Sequence, residues 1–479
     1  MTAPRFAGNK GALLRRSAPS FQPQRRSFAF AAAIALATIS SRPAAARSPR
    51  PPEVSPKLGT GATFLDHEGD DSLWVSAQQN TIFQAHPGFR QEYYGTNSLR
   101  PDAESATSGL FTVFVAYAPF RTTELIVDGE MALGGGISQA LGIAGFSNLD
   151  VVRNPTLGHA PYLARAQIHQ LIPLSSDWVE NEDRGPLSTF KYVPRHRLEL
   201  RVGKLSTADL FDINPAGSDS HLQFMNWSVD NNGAFDYAAD TRGYTYGAVV
   251  EYQGPRIEVR LGEMLMPTVA NGLDLDWDVG TDRADNLELE IKYSLIPDWR
   301  GTLRLLGYQN HANMGRYLDA NAEEKPDITA VRQKGRTKRG FGINVIQQLA
   351  GVFRVFGRIG WNDGKNESFA YTEIDNTIEV GFDVKGSPWR RPNDQVGFAF
   401  VTNGISVDHR NYLQRGGLGF LLGDGGLSYG RETILEHYYT VNVWRGFSLA
   451  EDIQFVARPG YNRDRGPVTI FSLRAHFEF

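Results

Sequence analysis

Few residues among the 479 are arranged for bond-making chemistry. Gly426-Leu427-Ser428-Tyr429-Gly430 fits the G-x-S-x-G pattern. A nucleophile elbow needs a strand, a sharp turn and then a helix. Here the motif follows Leu422-Gly423-Asp424-Gly425 and leads into an alternating segment, so it reads as a Gly-rich turn entering a strand. Asp274, Asp276, Asp278 and Asp282 resemble half of a calcium loop. Such a loop needs Gly at its sixth position and Glu at its twelfth. Val279 and Asp285 stand there, which points to a solvated loop. The ten His show no H-E-x-x-H spacing, and His437 and His476 fall on ordinary positions of alternating segments. Lys334, Arg336, Lys338 and Arg339 form a short basic cluster, expected in a solvated turn or loop. The absence of Cys excludes disulfides, thiol nucleophiles and thiolate metal sites. No catalytic residue, metal ligand or cofactor is expected.

A different chemistry concentrates between Trp227 and Tyr246. Trp227, Asp236, Tyr237, Asp240, Arg242 and Tyr244 bring aromatic faces, carboxylates and a guanidinium into one polar, Gly-interrupted stretch. It reads as a loop leading into a strand at Tyr246–Tyr252. Trp361, Asp363 and Glu373 repeat the mixture more sparsely. Groups of these kinds hold a polar guest rather than break it.

The elements that must position such loops are legible from period-two alternation. In Leu287-Glu288-Leu289-Glu290-Ile291-Lys292-Tyr293 one face is apolar and the other charged. Ile257, Val259 and Leu261 alternate with Glu258 and Arg260; Leu198, Leu200 and Val202 alternate with Glu199 and Arg201. Ile378, Val380, Phe382 and Val384 alternate with Glu379, Asp383 and Lys385. Phe353, Val355 and Ile359 alternate with Arg354 and Arg358, and Leu435, Tyr439, Val441 and Val443 with Glu432, Glu436 and Asn442. Successive strand side chains point to opposite faces. Charges of both signs on one face ask for water there, while the other face asks for apolar surroundings. A closed barrel in a bilayer supplies both, with lipid outside and a wet lumen inside, and it leaves no unpaired strand edge.

Composition agrees. Gly is high at 49, aromatics reach 11%, and mean hydropathy is mildly negative at −0.33, with no Pro/Ser/Gly linker to mark a second domain. Residues 1–46 hold seven basic residues and no acidic one, then an apolar run from Phe28 to Ile39 and Ala44-Ala45-Ala46. That is an export signal with a cleavage site, too short to span a bilayer as a helix. The domain expected is therefore 47–479. Subtracting those seven from 49 basic residues leaves 42 against 53 acidic, a balance near −11, which excludes nucleic acid as a partner. At roughly 25 residues per strand and loop, this length makes an all-β, transmembrane antiparallel barrel of about 16 to 18 strands. A barrel of that size keeps an aqueous lumen. Phe471, Leu473, Ala475, Phe477 and Phe479 share one face of a last strand that stops on an aromatic residue. That ending resembles the signal read by barrel-assembly machinery.

The sequence resembles the carbohydrate-selective porin family. Leu422-Gly423-Asp424-Gly425, Tyr429-Gly430-x-Glu432, Glu436-x-Tyr438-Tyr439, Asp452-x-Gln454, Pro459-Gly460-Tyr461-Asn462, Arg465-Gly466-Pro467 and Arg474-x-His476 follow its order. So do Asn232-Gly233-Ala234-Phe235-Asp236, Asp240-Thr241-Arg242-Gly243-Tyr244, Gly360-Trp361-Asn362-Asp363-Gly364, and the stretch from Gln84 to Leu99. Arg458 stands where the family often has Asn. The resemblance implies a 16-stranded barrel, inward constriction loops, passage of glucose-like sugars and no cofactor. The partners expected are small sugars, outer-membrane lipid of a Gram-negative bacterium and the assembly machinery at Phe479. Monomer and homotrimer are both compatible with it. Two readings of the loop at 227–246 follow. It lines the sugar path, with Trp227, Asp236, Asp240, Arg242 and Tyr244 as path residues and Trp361, Asp363 and Glu373 beside them. Alternatively it is an outer loop pinned by an Asp240–Arg242 salt bridge, its aromatics at the membrane interface. The competing class is a secreted soluble β-sandwich that binds carbohydrate or hydrolyses glycosides, since paired carboxylates can hide among 53 acidic residues.

Overall fold

A computed structural model describes residues 72–153, 157–297, 299–349 and 351–479. The export signal expected over residues 1–46 lies outside them. In chain order the strands are β1 (Leu73–His86), β2 (Glu104–Phe120), β3 (Thr123–Gly134), β4 (Tyr162–Pro173), β5 (Trp178–Glu180), β6 (Tyr192–Pro194), β7 (Arg197–Leu205), β8 (Thr245–Gln253) and β9 (Ile257–Met264). They continue as β10 (Arg283–Ile296), β11 (Trp299–Gly315), β12 (Arg332–Leu349), β13 (Phe353–Asn362), β14 (Asn376–Lys385), β15 (Gln395–Gly404), β16 (Glu432–Trp444), β17 (Phe447–Ala457) and β18 (Val468–Glu478). Sixteen of them close an antiparallel barrel, and β5 and β6 form a separate hairpin between β4 and β7. Closure comes from β1 against β18, in register from Gln78↔Glu478 to Ala85↔Phe471.

Every alternating segment named above falls inside a barrel strand, except that Phe479 lies one residue beyond the end of β18. Burial is the reverse of a water-soluble sandwich. On β14, Ile378 and Val380 are 51% and 55% exposed, while Glu379 between them is 2% exposed. The apolar row faces outward and the charged row faces the lumen, as a barrel in lipid requires.

The lumen is not simply wet. Residues 206–244 fold into it from β7 and β8 and build an apolar core there. Phe224 packs edge-on against Tyr438 with ring centroids 4.7 Å apart, and Phe235 lies 5.0 Å from Tyr308. A chain inside a barrel must find partners for its backbone groups, and the inward charges of the wall supply them. Glu436 accepts the N–H of Met225 at 2.6 Å and of Asn226 at 3.1 Å. Arg358 donates to Val229 O at 2.7 Å, and Arg474 to Ser220 O at 2.7 Å and Gln223 O at 2.9 Å. Glu432 accepts from the N–H groups of Ala144, Gly145 and Gly460, holding two further loops. The wall also makes room. A Cβ on Gly360 of β13 would lie 2.0 Å from Asn232 Oδ1.

The basic cluster is a correction. Lys334, Arg336, Lys338 and Arg339 lie within β12, not in a turn or loop. Lys338 is fully buried against Asp236 at 3.1 Å, Lys334 pairs with Asp276 at 2.8 Å, and Arg336 with Asp319 at 2.7 Å. Charges at every second residue of a strand point one way, but the local density of Lys and Arg masked that period. Asp276 and Asp282 are taken up by Lys334 and by the N–H of Gly335, and no metal-holding cluster is present among the described residues.

Candidate functional site

The inward loop packs against the wall at Tyr308, Arg358, Glu436 and Arg474 and leaves open space against β2, β3 and β4. The open side is bordered by β2, β3, β4 and the start of the loop. A cavity of about 390 Å³ runs there. A second, of about 290 Å³, adjoins it at the long-loop end and shares Asp150, Tyr162 and Arg242 with it. The loop opens with a tight turn, Thr207–Asp209, tied to its far end by Thr207 Oγ1 donating to Ala238 O at 2.8 Å. Asn226 caps the short helix Trp227–Asp230 by accepting the N–H of Ser228 at 3.0 Å.

Alternation on β3 turns Asp128 and Glu130 inward, and a register shift on β4 brings Tyr162 and Arg165, three residues apart, to the same side, so that Glu130, Tyr162 and Arg165 border this passage. Arg165 bridges Asp128 at 3.1 Å and grips both oxygens of Asp209 at 2.7 and 2.8 Å. That two-pronged hold joins the loop to the wall. Glu130 accepts from Tyr162 Oη at 2.8 Å and from Tyr244 Oη at 2.7 Å. The guanidinium of Arg242 lies over the Tyr162 ring, 4.2 Å from its centroid. Asp240 accepts the N–H of Arg242 at 2.9 Å and of Tyr244 at 3.1 Å. Burial raises the Asp240 carboxyl above its ordinary value, and those two N–H groups, Lys204 and Arg242 offset part of the rise. Trp227 stacks on Tyr371 with centroids 5.6 Å apart and planes 7° from parallel, its Nε1 donating to Asn148 O at 2.8 Å. The passage thus has fixed donors and acceptors interleaved with aromatic rings, contributed by the barrel wall and the inward loop alike.

Of the eight residues singled out from the sequence, Trp227, Asp240, Arg242 and Tyr244 border the passage. Asp236 does not. It is buried behind the loop, accepting the N–H groups of Phe369, Ala370 and Tyr371 and the Lys338 ammonium. Glu373 is likewise buried, accepting the N–H of Leu421 at 2.8 Å and of Leu422 at 2.7 Å. Asp363 sits in the turn after β13 and accepts the N–H of Lys365 at 3.3 Å. Trp361 is on the outward row of β13, 44% exposed beside Phe341. The salt bridge between Asp240 and Arg242 is replaced by the backbone turn just described. Sequence reasoning missed Glu130, Tyr162, Arg165, Asp150 and Asp209. The alternation of Asp128 and Glu130 with Val127 and Gly129 was the available signal for β3.

The sequence profile of the carbohydrate-selective porin, OprB family, matches residues 133–479. No curated protein matches the chain. Among solved structures, the high-pH structure of Pseudomonas putida OprB is similar over 85% of this chain and 94% of that chain, with 14% identity and a TM-score of 0.64. The low-pH structure of the same protein gives 11% identity, 85% and 93% coverage and 0.45. The outer-membrane channel DcaP of Acinetobacter baumannii gives 9%, 85% and 97%, and 0.47. At such identities the first of these shows the shared fold. With the family match over most of the barrel, the conclusion follows: the chain belongs to the carbohydrate-selective porin family and is an outer-membrane channel for sugar diffusion.

Proposed function

We propose that the passage admits small, neutral, glucose-like monosaccharides one at a time, and that Trp227, Asp240, Arg242 and Tyr244 form its narrow part with Glu130, Tyr162 and Arg165. The arrangement that carries this reading is one connected cluster on an open cavity, in which Arg165, Asp209, Glu130 and Arg242 interleave with the rings of Tyr162 and Tyr244, with Trp227 on the same cavity. Sugar hydroxyls exchange hydrogen bonds with charged and amide groups, and sugar C–H faces pack on rings. The polar groups are already paired with one another, so a guest trades bonds rather than gaining unmet ones. This favours weak, reversible holding, which conduction needs. Liposome swelling with a sugar panel tests it. Hexoses should swell proteoliposomes faster than disaccharides, and Arg242→Ala should change the ranking. Equal rates for all neutral solutes of one size would leave a size filter only.

The mature domain begins after residue 46 on this reading, the outward apolar rows meet lipid, and Phe479 is the residue the assembly machinery reads. Phe479 exchanges backbone hydrogen bonds with Ala77 at 2.7 and 3.2 Å, at the seam of the barrel. The intact mass of the outer-membrane form checks the first point. A lower outer-membrane yield of Phe479→Ala checks the last.

A further inference from the structure

The outward rows near the seam of the barrel, on β16, β17, β18 and β1, are not apolar throughout. Glu451 stands in the outward row of β17, between Leu449 and Ile453. His437 stands in the outward row of β16, between Leu435 and Tyr439. The two side chains meet, His437 Nε2 lying 3.4 Å from Glu451 Oε1, and they remain 38% and 50% exposed. His437 Nδ1 lies 3.1 Å from Gly397 O on β15, which fixes the ring with its other nitrogen toward Glu451.

This pair is deep in the apolar layer. Turns at one end of the barrel are short, as between Trp444 and Phe447. Glu451 is four residues up β17 from Phe447, much as Val380 is five residues up β14 from Lys385. At about 3.3 Å per residue and a tilt of about 40°, that is roughly 10 Å into an apolar band about 25 Å tall. On β14 the same depth is filled by Ile378, Val380 and Phe382. Acyl chains offer an acid and an imidazole nothing to bond with, and headgroups lie above and below. Ionisable groups at such a depth are costly where they face lipid, and they are met where protein covers them.

The chemistry of the patch selects the cover. It sets a carboxyl beside an imidazole, each half-exposed. Two copies in one membrane insert the same way up, so a two-fold axis between them runs along the membrane normal and each residue has one height in both. His437 and Glu451 are in contact and so share that height. Turned face to face about such an axis, His437 of each copy meets Glu451 of the other, and both contacts form at once. A ring of three would set this face against a different one and leave the match unused. The neighbouring rows allow close approach. Ala475 pairs with Leu449 on one side and Thr81 on the other, and Gln79 Nε2 donates to Thr81 Oγ1 at 3.2 Å in the outward row of β1. Small residues let two walls come together, and amide and hydroxyl groups add hydrogen bonds across the contact.

We propose that the outward face of β16, β17, β18 and β1, centred on His437 and Glu451, docks a second copy of this chain as a two-fold dimer of barrels in the membrane. The contact joins outward rows, so each barrel keeps its own passage.

The chain has no Cys, so Arg463→Cys, exposed in the turn between β17 and β18, gives one site for a dye. Energy transfer between donor- and acceptor-labelled full chains in vesicles, followed as lipid is added, reads the pairing. The wild type should show transfer above chance proximity, falling on dilution as a dimer does. His437→Phe combined with Glu451→Leu suits lipid. It should lower the association constant roughly tenfold or more, the worth of two polar contacts in a membrane, while heat-modifiable migration shows the barrel folded. Glu451→His alone makes a face of two imidazoles, and His437→Glu alone a face of two carboxyls. Neither should pair with itself, and a mixture of the two should pair again. Wild-type transfer no greater than chance overturns the proposal. So does transfer that the apolar double variant leaves unchanged, or a mixture of the two folded single variants that does not recover it.

Discussion

Arg242 and Asp240 are neighbours in the chain with separate jobs in the passage. Arg242 presents a fixed positive charge, half-buried over Tyr162. Asp240 is spent on the backbone of its own turn. Removing the guanidinium should shift selectivity toward cations. At ~7 Å in water a unit charge changes a permeating ion's energy by about 0.6 kcal/mol, and the two ions feel it with opposite signs, so the cation-to-anion permeability ratio of Arg242→Ala should rise roughly sevenfold. Reversal potentials in a salt gradient measure it, and an unchanged ratio would place Arg242 off the path. Asp240 gives the pH dependence. Its carboxyl is raised above the ordinary 3.8, chiefly by burial. A raised acid takes its proton at a higher pH than a free one. As pH falls, the negative charge beside Arg242 is therefore lost before surface Asp residues titrate, and preference for anions grows. Asp240→Asn, which keeps the turn's acceptor, should remove that step from the selectivity profile.

At the scale of elements, the strands were legible and the loops were not. A strand's faces alternate whatever packs on them, so Leu287 to Tyr293 or Ile378 to Lys385 declare themselves from sequence. The inward loop has no such period. Trp227, Asp236 and Glu373 look alike as loop residues, yet Trp227 borders water while Asp236 and Glu373 tie backbone to backbone. Which role a carboxylate takes depends on the segment folded against it, and that segment lies more than a hundred residues away for Asp236. Arg165 and Glu130 were hidden for the opposite reason: they sit in ordinary strands, and only the position of the loop makes their stretch of wall open. Asp236→Ala should separate the two roles. It orphans three N–H groups and a buried ammonium, a loss of about 3–5 kcal/mol for a broken buried pair. Thermal conversion of the folded form on gels should come at lower temperature, and open-channel noise should rise as the loop loosens. Ion selectivity should stay as in the wild type, because Asp236 does not border the passage. A selectivity change as large as that of Arg242→Ala would show that the residue reaches the ions.

For the molecule as a whole, one barrel is built with its polar and apolar sides exchanged relative to a protein in water. The charged lumen does two things. Part of it, Glu432, Glu436, Arg358 and Arg474, holds the chain that fills the barrel. Another part, with Glu130, Arg165 and Arg242, borders the route that is left, and pairs such as Arg354 with Asp383 neutralise each other within the wall. Outside the pair of His437 and Glu451, polar pairs on the outward rows occur toward strand ends, as with Arg283 and Asp285 at the start of β10, and the apolar stretch between gives a test that a soluble sandwich fails. Val380 stands midway along β14, exposed on the outward face, with Ile378 and Phe382 in the same row. In water, exchanging an exposed Val on a strand for Arg costs little and aids solubility. At the middle of a bilayer it costs about 2–4 kcal/mol, because lipid offers the guanidinium nothing to bind. Val380→Arg should lower the folding free energy in vesicles by that amount. Trp444→Arg, at the exposed short-turn rim where β16 ends, should cost about 0–1 kcal/mol for the charge itself. Denaturant titration in vesicles, following the shift of the folded band, measures both. Equal, small effects at the two positions would mean that β14 does not cross the apolar layer. A graded pair places the membrane midplane at Val380 and its edge at Trp444, and puts the route past Arg165 and Arg242 across the bilayer.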